Sequence, residues 1–424
     1  MGSRAKKKAT QGATSVHLLV FFVPVFFGFM GFAVDLGRLY LIRGELKTAA
    51  NAMALAAAQR LIGTENSTGL ASASAKLAIT PSNGSANKYN FGSVTIGEGS
   101  GNLTSAVPEP AYYETAASAI GEGEGAGGSE ATGSTAKHVR VTVTADAPLL
   151  FWSFLSLGQE RKTPVAAQSA AGISAPLCTA CGIEPVAIAA LDATDTTNFG
   201  FAPSSLYTFG YSCTGGPTPS GITGAPQRIP FLLLNRYDDQ ATLFADESSQ
   251  LFRIGATGLL PSTSPARSCV GINASEQVWV NAAALACSLQ RVPSTVTNFV
   301  CGIASRFDTT PQTACAQIPE VDTISSAYVP DSDLSSLTDY TAYIGNLRRV
   351  ITVPVVESLD PAGMNVLGFR QFLVEPNAND VTINAGDTNA RFVVMYIGSV
   401  VPLKQGSFSG CSISSGPGKA VLHQ

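Results

Sequence analysis

The sequence predicts an α+β protein in successive parts: a long N-terminal membrane-anchored helix, then a small α+β module, then a strand-rich, disulfide-bonded C-terminal domain. Three observations lead there. Residues 16–34, VHLLVFFVPVFFGFMGFAV, carry no Asp, Glu, Lys or Arg and pass into DLGRLYLIRGELKTAANAMALAAAQRL without a turn signal. All eight cysteines come at or after Cys178. Beyond the stem, short segments rich in β-branched and aromatic residues alternate with Gly- and Ser-rich stretches, the pattern of strands and turns.

A helix from Val16 to Leu61 would be roughly 70 Å long at ~1.5 Å per residue, and the hydrocarbon core takes only ~30 Å of it. The rest must project into water. This divides the N-terminal part into a basic tip (1–15), a transmembrane helix (16–34) and a stem helix (35–62). Arg4, Lys6, Lys7 and Lys8 crowd the tip, and such clusters stay on the cytoplasmic side, so everything after Val34 is expected outside. A cleaved secretory signal has the same basic start. Its apolar region, however, spans about 7–15 residues and ends at a small-residue cleavage site, whereas Asp35, Arg38 and Arg43 follow here on a continuing helix. A membrane segment within ten residues of the basic cluster also argues against a nucleic-acid partner. Pro24 interrupts the apolar run and reads as a local kink, which a bilayer tolerates because neighbouring groups re-satisfy the freed carbonyl.

In the stem, Leu39, Ile42, Leu46, Ala49, Met53 and Ala56 recur at steps of three and four, so they share one stripe of a helix, while Arg43, Lys47 and Asn51 lie on another face. From Ala49 to Ala58 nearly every side chain is small, which lets another backbone approach closely. The stripe therefore predicts a packing face, against the chain's own first module or another subunit. The plain alternative is an alanine-rich spacer.

The run AVDLGRLYLIRGELKTAANAMALAAA (33–58) resembles the N-terminal signature of the TadE/TadG-like proteins of the tight-adherence (Flp, type IVb) pilus machinery. The matching positions are Val34, Asp35, Gly37, Arg38, Leu46, Ala49, Ala50 and the Ala-Leu-Ala-Ala-Ala of 54–58. Lys47, Asn51 and Met53 stand where that family usually has Gln, Asp and Ala. VRVTVTADAPLLFWSFLSL (139–157) followed by VAAQSAA (165–171) is similar to the end of the family's first periplasmic module: an alternating strand, a Pro-led aromatic helix and a final strand. RRVITVPVVESL, VLGFRQFLV and ARFVVMYI resemble more loosely the C-terminal part of TadG-like chains. The resemblance implies a single-pass protein of the bacterial inner membrane, its bulk periplasmic or extracellular. It also implies work in pilus assembly and contact, with other pilus-assembly subunits or pilins as partners, together with a possible surface ligand. The alternative within that class is a minor pilin or tip adhesin that leaves with the filament. Prepilin-type processing needs a Gly at the cut and a Glu five residues into the mature chain; Gly12 is suitably placed, but the fifth residue after it is His17, so a retained anchor is expected.

Outside the membrane, 424 residues with 45% hydrophobic content suffice for two compact domains. The net charge of −4 demands no anionic partner, and the 13% of charged residues is low against the ~25% of ordinary soluble domains. The first module spans 63–174, with strands at 93–99 and 139–146 and a flexible Gly-rich loop at 121–135. In the second part, 175–424, strands are expected at 229–235, 277–280, 349–357, 366–374 and 390–398, with 281–289 as the best helix.

Cys178, Cys181, Cys213, Cys269, Cys287, Cys301, Cys315 and Cys411 form an even set in an exported region, which predicts four disulfides with 105 possible pairings. Cys178-Thr-Ala-Cys181 has the spacing of a redox pair or half a zinc site, but no second such pair or nearby His supplies further ligands. Chemistry is otherwise sparse. The histidines are His17, His138 and His423. GSFSG (406–410) has Phe408 where a nucleophile elbow needs Ser, and GPGKA (416–420) has Ala420 where a phosphate loop needs Ser or Thr; both read as turns. Some longer TadG-like proteins carry a metal-dependent adhesion domain, but in Asp331-Ser332-Asp333-Leu334-Ser335 an Asp stands in the wrong place. Asp192, Asp195, Asn377, Asn379 and Asp380 have calcium-ligand chemistry and equally suit hairpin loops. No cofactor, no metal and no enzymatic activity are expected; a membrane-tethered exported enzyme is the alternative from another class.

Overall fold

The structure is a computed structural model, described at residues 7–79, 109–121, 131–149, 151–152, 161–211, 227–234, 252–253, 255–256, 269–273, 275–276, 294–308, 312–315, 329–359, 363–378, 381–387 and 389–423. The expected strands at 93–99 and 277–280, the expected helix at 281–289, most of the Gly-rich loop, Cys213, Cys287, Asn379 and Asp380 lie outside them. The helices are α1 (Lys7–Ala58), α2 (Ser67–Ile79), α3 (Ala116–Ile120) and α4 (Ser294–Ala304). The strands of the first module are β1 (Ala111–Tyr113), β2 (His138–Leu149) and β3 (Arg161–Ile173). Then follow β4 (Thr179–Cys181), β5 (Val186–Ala189), β6 (Leu206–Tyr211), β7 (Gln227–Leu233), β8 (Cys269–Gly271) and β9 (Ser275–Glu276). The chain ends with β10 (Val350–Val356), β11 (Met364–Val374), β12 (Asn377–Ala378), β13 (Val381–Thr382), β14 (Phe392–Tyr396), β15 (Gly406–Ser407) and β16 (Ala420–His423).

Helix α1 runs unbroken through Pro24 for 52 residues, about 78 Å at ~1.5 Å per residue. It starts within the basic tip and stops at Ala58, short of the expected Ile62. The reason is packing. Leu61 turns into the module core and Ile62 into a second cluster with Tyr340 and Tyr343, so the chain tightens through a bond from Leu61 N–H to the Ala58 carbonyl.

The module sheet runs β1-β2-β3-β16, all antiparallel. The last strand of the chain thus returns to the first module. Strand β2 is longer than its alternating core suggests: Pro148 and Leu149, expected to lead an aromatic helix, are still paired with Lys162 and Arg161, and helical backbone begins only at Phe151. Strand β1 reaches no further than Arg140. At Pro148, β2 therefore has no β1 neighbour, a place where a missing N–H is tolerated.

The C-terminal part is built on a closed barrel. Strands follow one another as β10-β5-β7-β6-β14-β11, and β11 pairs back onto β10, with β9 attached to the far end of β11. Closure leaves none of these six strands with a free edge. Period-two alternation sends Val186, Ile188, Phe209, Phe231, Ile351, Val353, Phe372, Phe392 and Val394 into one interior cluster. The intervening Ala187, Leu232 and Phe369 face the small sheet β15-β4-β8, and Leu373 and Met395 face the tyrosines at 340 and 343. Both faces are therefore buried, which explains why these strands read as nearly continuous apolar runs.

In the C-terminal part α4 brings Phe299 against Phe231 and Phe392 at the barrel interior. The two turn readings change here. GSFSG is not wholly a turn: Gly406 and Ser407 pair with Ala180 and Thr179, just as Ala420 of GPGKA opens β16 opposite Ile173.

Candidate functional site: the anchor helix and its attachments

From Val16 to Ala58 lies a helix long and apolar enough to cross a membrane. Its apolar half stands bare, with Phe21 67% and Phe29 68% exposed. Of the signature residues, Val34 and Gly37 are exposed and Arg38 is half-buried, but Asp35 is buried. The Asp35 carboxylate accepts the backbone N–H of Phe151 and of Trp152, each at 3.2 Å. One turn below, a Cβ at Gly31 would fall within the Phe151 ring, so only glycine admits that contact. Gly12 lies inside α1.

Further out, the stem is covered on one side. Leu46, Ala49, Ala50, Met53, Ala54, Ala57 and Ala58 are each 1% exposed or less and pack against Ala71, Ala75, Val139, Val141, Val143, Ala167 and Ala171 of the module. Leu39 and Ile42, earlier on the expected stripe, are half-buried. Ala56 is also only half-buried; Ala57 holds the position on the core side, because the true seam runs along pairs at 49/50, 53/54 and 57/58, one residue wider than the stripe. Small side chains are what this contact needs: α1 lies directly over the β2–β3 ladder, whose facing residues are themselves Val and Ala. Bordering this seam, Lys47 Nζ donates to the Gln168 carbonyl of β3 at 2.6 Å.

The stem is also bonded to the barrel. The Tyr340 hydroxyl donates to the Ile62 carbonyl at 3.0 Å, and Glu65 N–H donates to the Thr341 carbonyl at 2.9 Å. Gly63 turns the chain between them at φ +79°, with Ser399 too close for any Cβ there.

Among the described residues three cysteine pairs are joined in the barrel region: Cys178–Cys411, Cys181–Cys269 and Cys301–Cys315. The two cysteines of the Cys-x-x-Cys stretch therefore go to different partners rather than to each other. Cys181 and Cys269 are opposite one another on β4 and β8, and Cys178–Cys411 closes a sequence separation of 233 residues.

Buried ion pairs were not legible in the sequence. Arg306, 1% exposed, pairs with Glu184 at 2.5 Å and also bonds the Ala256 and Arg348 carbonyls. Burial pushes the Glu184 carboxyl up and Arg306 pulls it back. Arg349, fully buried, pairs with Glu375 at 3.0 Å and reaches the carbonyls of Asp333, Ser335 and Val374 at 2.8 Å each. Glu375 is likewise raised by burial and held back by Arg349. Asp331 accepts from the Tyr343 hydroxyl at 2.6 Å and from Arg349 N–H at 3.0 Å. The acidic stretch 331–335 thus wraps a buried guanidinium.

The other acidic candidates also bond to their own loops. Asp195 takes the N–H groups of Thr197, Asn198 and Gly200, and Asp192 takes the N–H and hydroxyl of Thr194. Among the described residues no three His, Cys, Asp or Glu side chains gather as a metal set. A surface depression of about 450 Å³ between the 312–314 turn and β13 is lined by Gln312, Thr313, Thr382 and Asn384, with no ionisable group on its wall.

No curated protein and no solved structure matches the chain. Residues 12–60, which hold the helix long and apolar enough to cross a membrane, Asp35 and the packed face from Leu46 to Ala58, match the family model described as "Putative Flp pilus-assembly TadE/G-like", so this segment of the chain is similar to that family.

Proposed function

We propose that the protein is a single-pass, inner-membrane-anchored component of a tight-adherence (Flp) pilus system, which holds its module and barrel outside the cytoplasm for assembly and contact. One observation carries the reading: the segment that matches the TadE/G-like family is a single helix whose first part is bare and apolar and whose last turns are packed into an extramembrane fold. The basic tip supports a cytoplasmic N-terminus. The disulfides support an oxidising compartment for the barrel. The stem face from Leu46 to Ala58 is already occupied by the chain's own module. This favours a retained anchor over a filament subunit, whose helix would need that face for its neighbours. The work is structural, and the partners are other pilus-assembly subunits or pilins.

Deleting the gene in a piliated strain is the direct test. Loss of surface filaments and adherence is expected, with restoration by the full chain; unchanged filaments and adherence would end the reading. A periplasm-dependent reporter fused after Gln424 should be active, and sheared filaments should lack the protein. Recovery of a chain shortened at Gly12 from those filaments would replace the anchor by a minor pilin or tip adhesin.

A further inference from the structure

The apolar helix is not the whole of the membrane contact. We propose that Phe151 and Trp152 are a second contact with the phospholipid bilayer: Phe151 enters the outer leaflet beside α1, Trp152 lies at headgroup level, and Asp35 is the positioning residue that fixes both. The proposal rests on α1 spanning the membrane.

Depth comes first. From Val16 to Asp35 is about 28 Å of helix at ~1.5 Å per residue, close to the ~30 Å of a hydrocarbon core, which puts Asp35 at its outer boundary. Gly31, one turn earlier, is then about 6 Å inside. The Phe151 ring sits on Gly31, so it shares that depth. Gly28, Gly37 and Gly44 of the same helix have open space where a Cβ would stand; the glycine that something occupies is the one beneath Phe151.

Chemistry comes second. A carboxylate at a hydrocarbon boundary is costly unless hydrogen-bonded. Asp35, 7% exposed, accepts the N–H groups of Phe151 and Trp152 where helical backbone begins, as a capping side chain does within its own helix. Here the cap comes from another element, 116 residues away in the chain. It satisfies the carboxylate and two donors that would otherwise face lipid.

Surface comes third. Trp152 is 54% exposed and is bonded through its backbone N–H to Asp35, on the stretch of α1 where Phe32 at 63% and Val34 at 60% are also bare. Tryptophan, with an apolar body and one N–H, collects at membrane interfaces. A lone helix lets an attached domain swivel about its axis. A second foothold fixes which face of the module looks along the membrane, and therefore where a subunit can meet it.

The chain has two tryptophans, so Trp279→Phe makes Trp152 the sole reporter in the full protein. Reconstituted in phosphatidylcholine–phosphatidylglycerol vesicles with acyl chains brominated at shallow or deep carbons, Trp152 should be quenched at least twofold more by the shallow set. It should also be at least twofold less accessible to aqueous acrylamide than free tryptophan. Gly31→Leu, which evicts the ring, and Asp35→Asn, which weakens the cap, should each shift Trp152 toward acrylamide and cut lipid quenching by half or more. The three disulfides should persist in these variants as evidence of folding. Unquenched, fully water-accessible Trp152 in the parent protein overturns the proposal, and quenching unchanged in both variants overturns the role of Asp35. In a chain with both native tryptophans replaced by Phe, Val25→Trp reports on α1 itself. Deep quenching there with aqueous Trp152 sinks this proposal alone, whereas no quenching at position 25 sinks the membrane-spanning reading beneath it.

Discussion

Alanine joins the stem to its module, whereas phenylalanine fills the barrel. At the stem seam, Ala49, Ala50, Ala54, Ala57 and Ala58 meet Ala71, Ala75, Ala167 and Ala171. In the barrel, Phe201, Phe209, Phe231, Phe299, Phe372 and Phe392 touch one another in a chain of tilted and edge-on rings. Hydrophobic stabilisation follows buried apolar area at about 25 cal/mol per Å², so each alanine contributes little and the seam depends on close, continuous approach. An aromatic core gains more per residue and has disulfides as well. The two regions should therefore fail differently: the seam through anything that separates backbones, the barrel through lost volume, unpaired charge or lost cross-links.

The largest expected effect is at Leu46, the bulkiest aliphatic residue at the membrane-proximal end of the seam, 1% exposed. Leu46→Asp would bury an unpaired carboxylate, for which a loss of about 3–5 kcal/mol is reasonable. The site lies beyond the hydrocarbon core, so the variant should still fractionate with membranes. Limited proteolysis should then cut between 63 and 174 while the disulfide-linked barrel survives. Equal protection of both regions would mean that the seam does not hold the module.

The barrel counterpart is Arg306. Arg306→Leu leaves Glu184 buried without its partner, which should cost about 3–5 kcal/mol near pH 7. Burial already raises the Glu184 carboxyl, and without the guanidinium it rises further. The folded variant then takes up a proton at higher pH than the unfolded chain, so its deficit should shrink as pH falls. A deficit that does not change between pH 7 and pH 5 would show that the cost is lost packing rather than charge.

Cross-linking separates the regions more gently. Replacing Cys178 and Cys411 by Ser opens the longest loop among the described disulfides, and about 2–5 kcal/mol of barrel stability should go with it. The stem and the β1-β2-β3 ladder, which contain no cysteine, should keep their protection in hydrogen exchange. Intact mass of the untreated chain checks the premise: about eight hydrogens should separate the oxidised and reduced forms if all four expected bridges form.

How much of this could be read in the chain follows the same contrast. A bare apolar run and a step-three, step-four pattern are local, so a helix long and apolar enough to cross a membrane, and buried positions at Leu46 and Met53, are written there. The α+β class and five strands are local as well, since β-branched runs such as VITVPVV mark themselves. Closure of the barrel is not local, because it depends on β11 pairing with both β14 and β10. The return of β16 to β3 is also invisible, as Ala420–His423 is a short and ordinary strand. Asp35 stood out only as part of a signature; its meaning comes from Phe151 and Trp152, 116 and 117 residues on. Arg306 and Arg349 look like surface residues until the fold surrounds them. A single strict spacing includes Ala56 and passes over Ala57, because a seam of paired small residues does not follow it.

The smallest expected effect probes where the two regions share a sheet. His138 on β2 and His423 on β16 stand with ring centres 5.0 Å apart, and neither His138 Nδ1 nor His423 Nε2 has a hydrogen-bond partner among the described residues. Burial first, then the neighbouring charges of His423 and Lys137, lower the His138 pKa to about 4. An unfolded histidine protonates near 6.5, so above that pH both states are neutral and stability is complete. As pH falls from about 6.5 toward 4 the unfolded chain takes the proton first and stability drains away. The loss should be on the order of 1–2 kcal/mol, because the imidazole is only half-buried and solvent screens part of the shift. It should appear locally, as faster hydrogen exchange of Ala420–His423 and of their β3 partners from Ala170 to Ile173 at pH 4.5 than at pH 7, after correction for the intrinsic exchange rate. His138→Phe should remove that difference and leave the β10–β11 amides of the barrel unaffected. If β16 exchanges alike at both pH values in the parent chain, the seam between module and C-terminus is held by its backbone ladder alone, and the histidine pair plays no part in it.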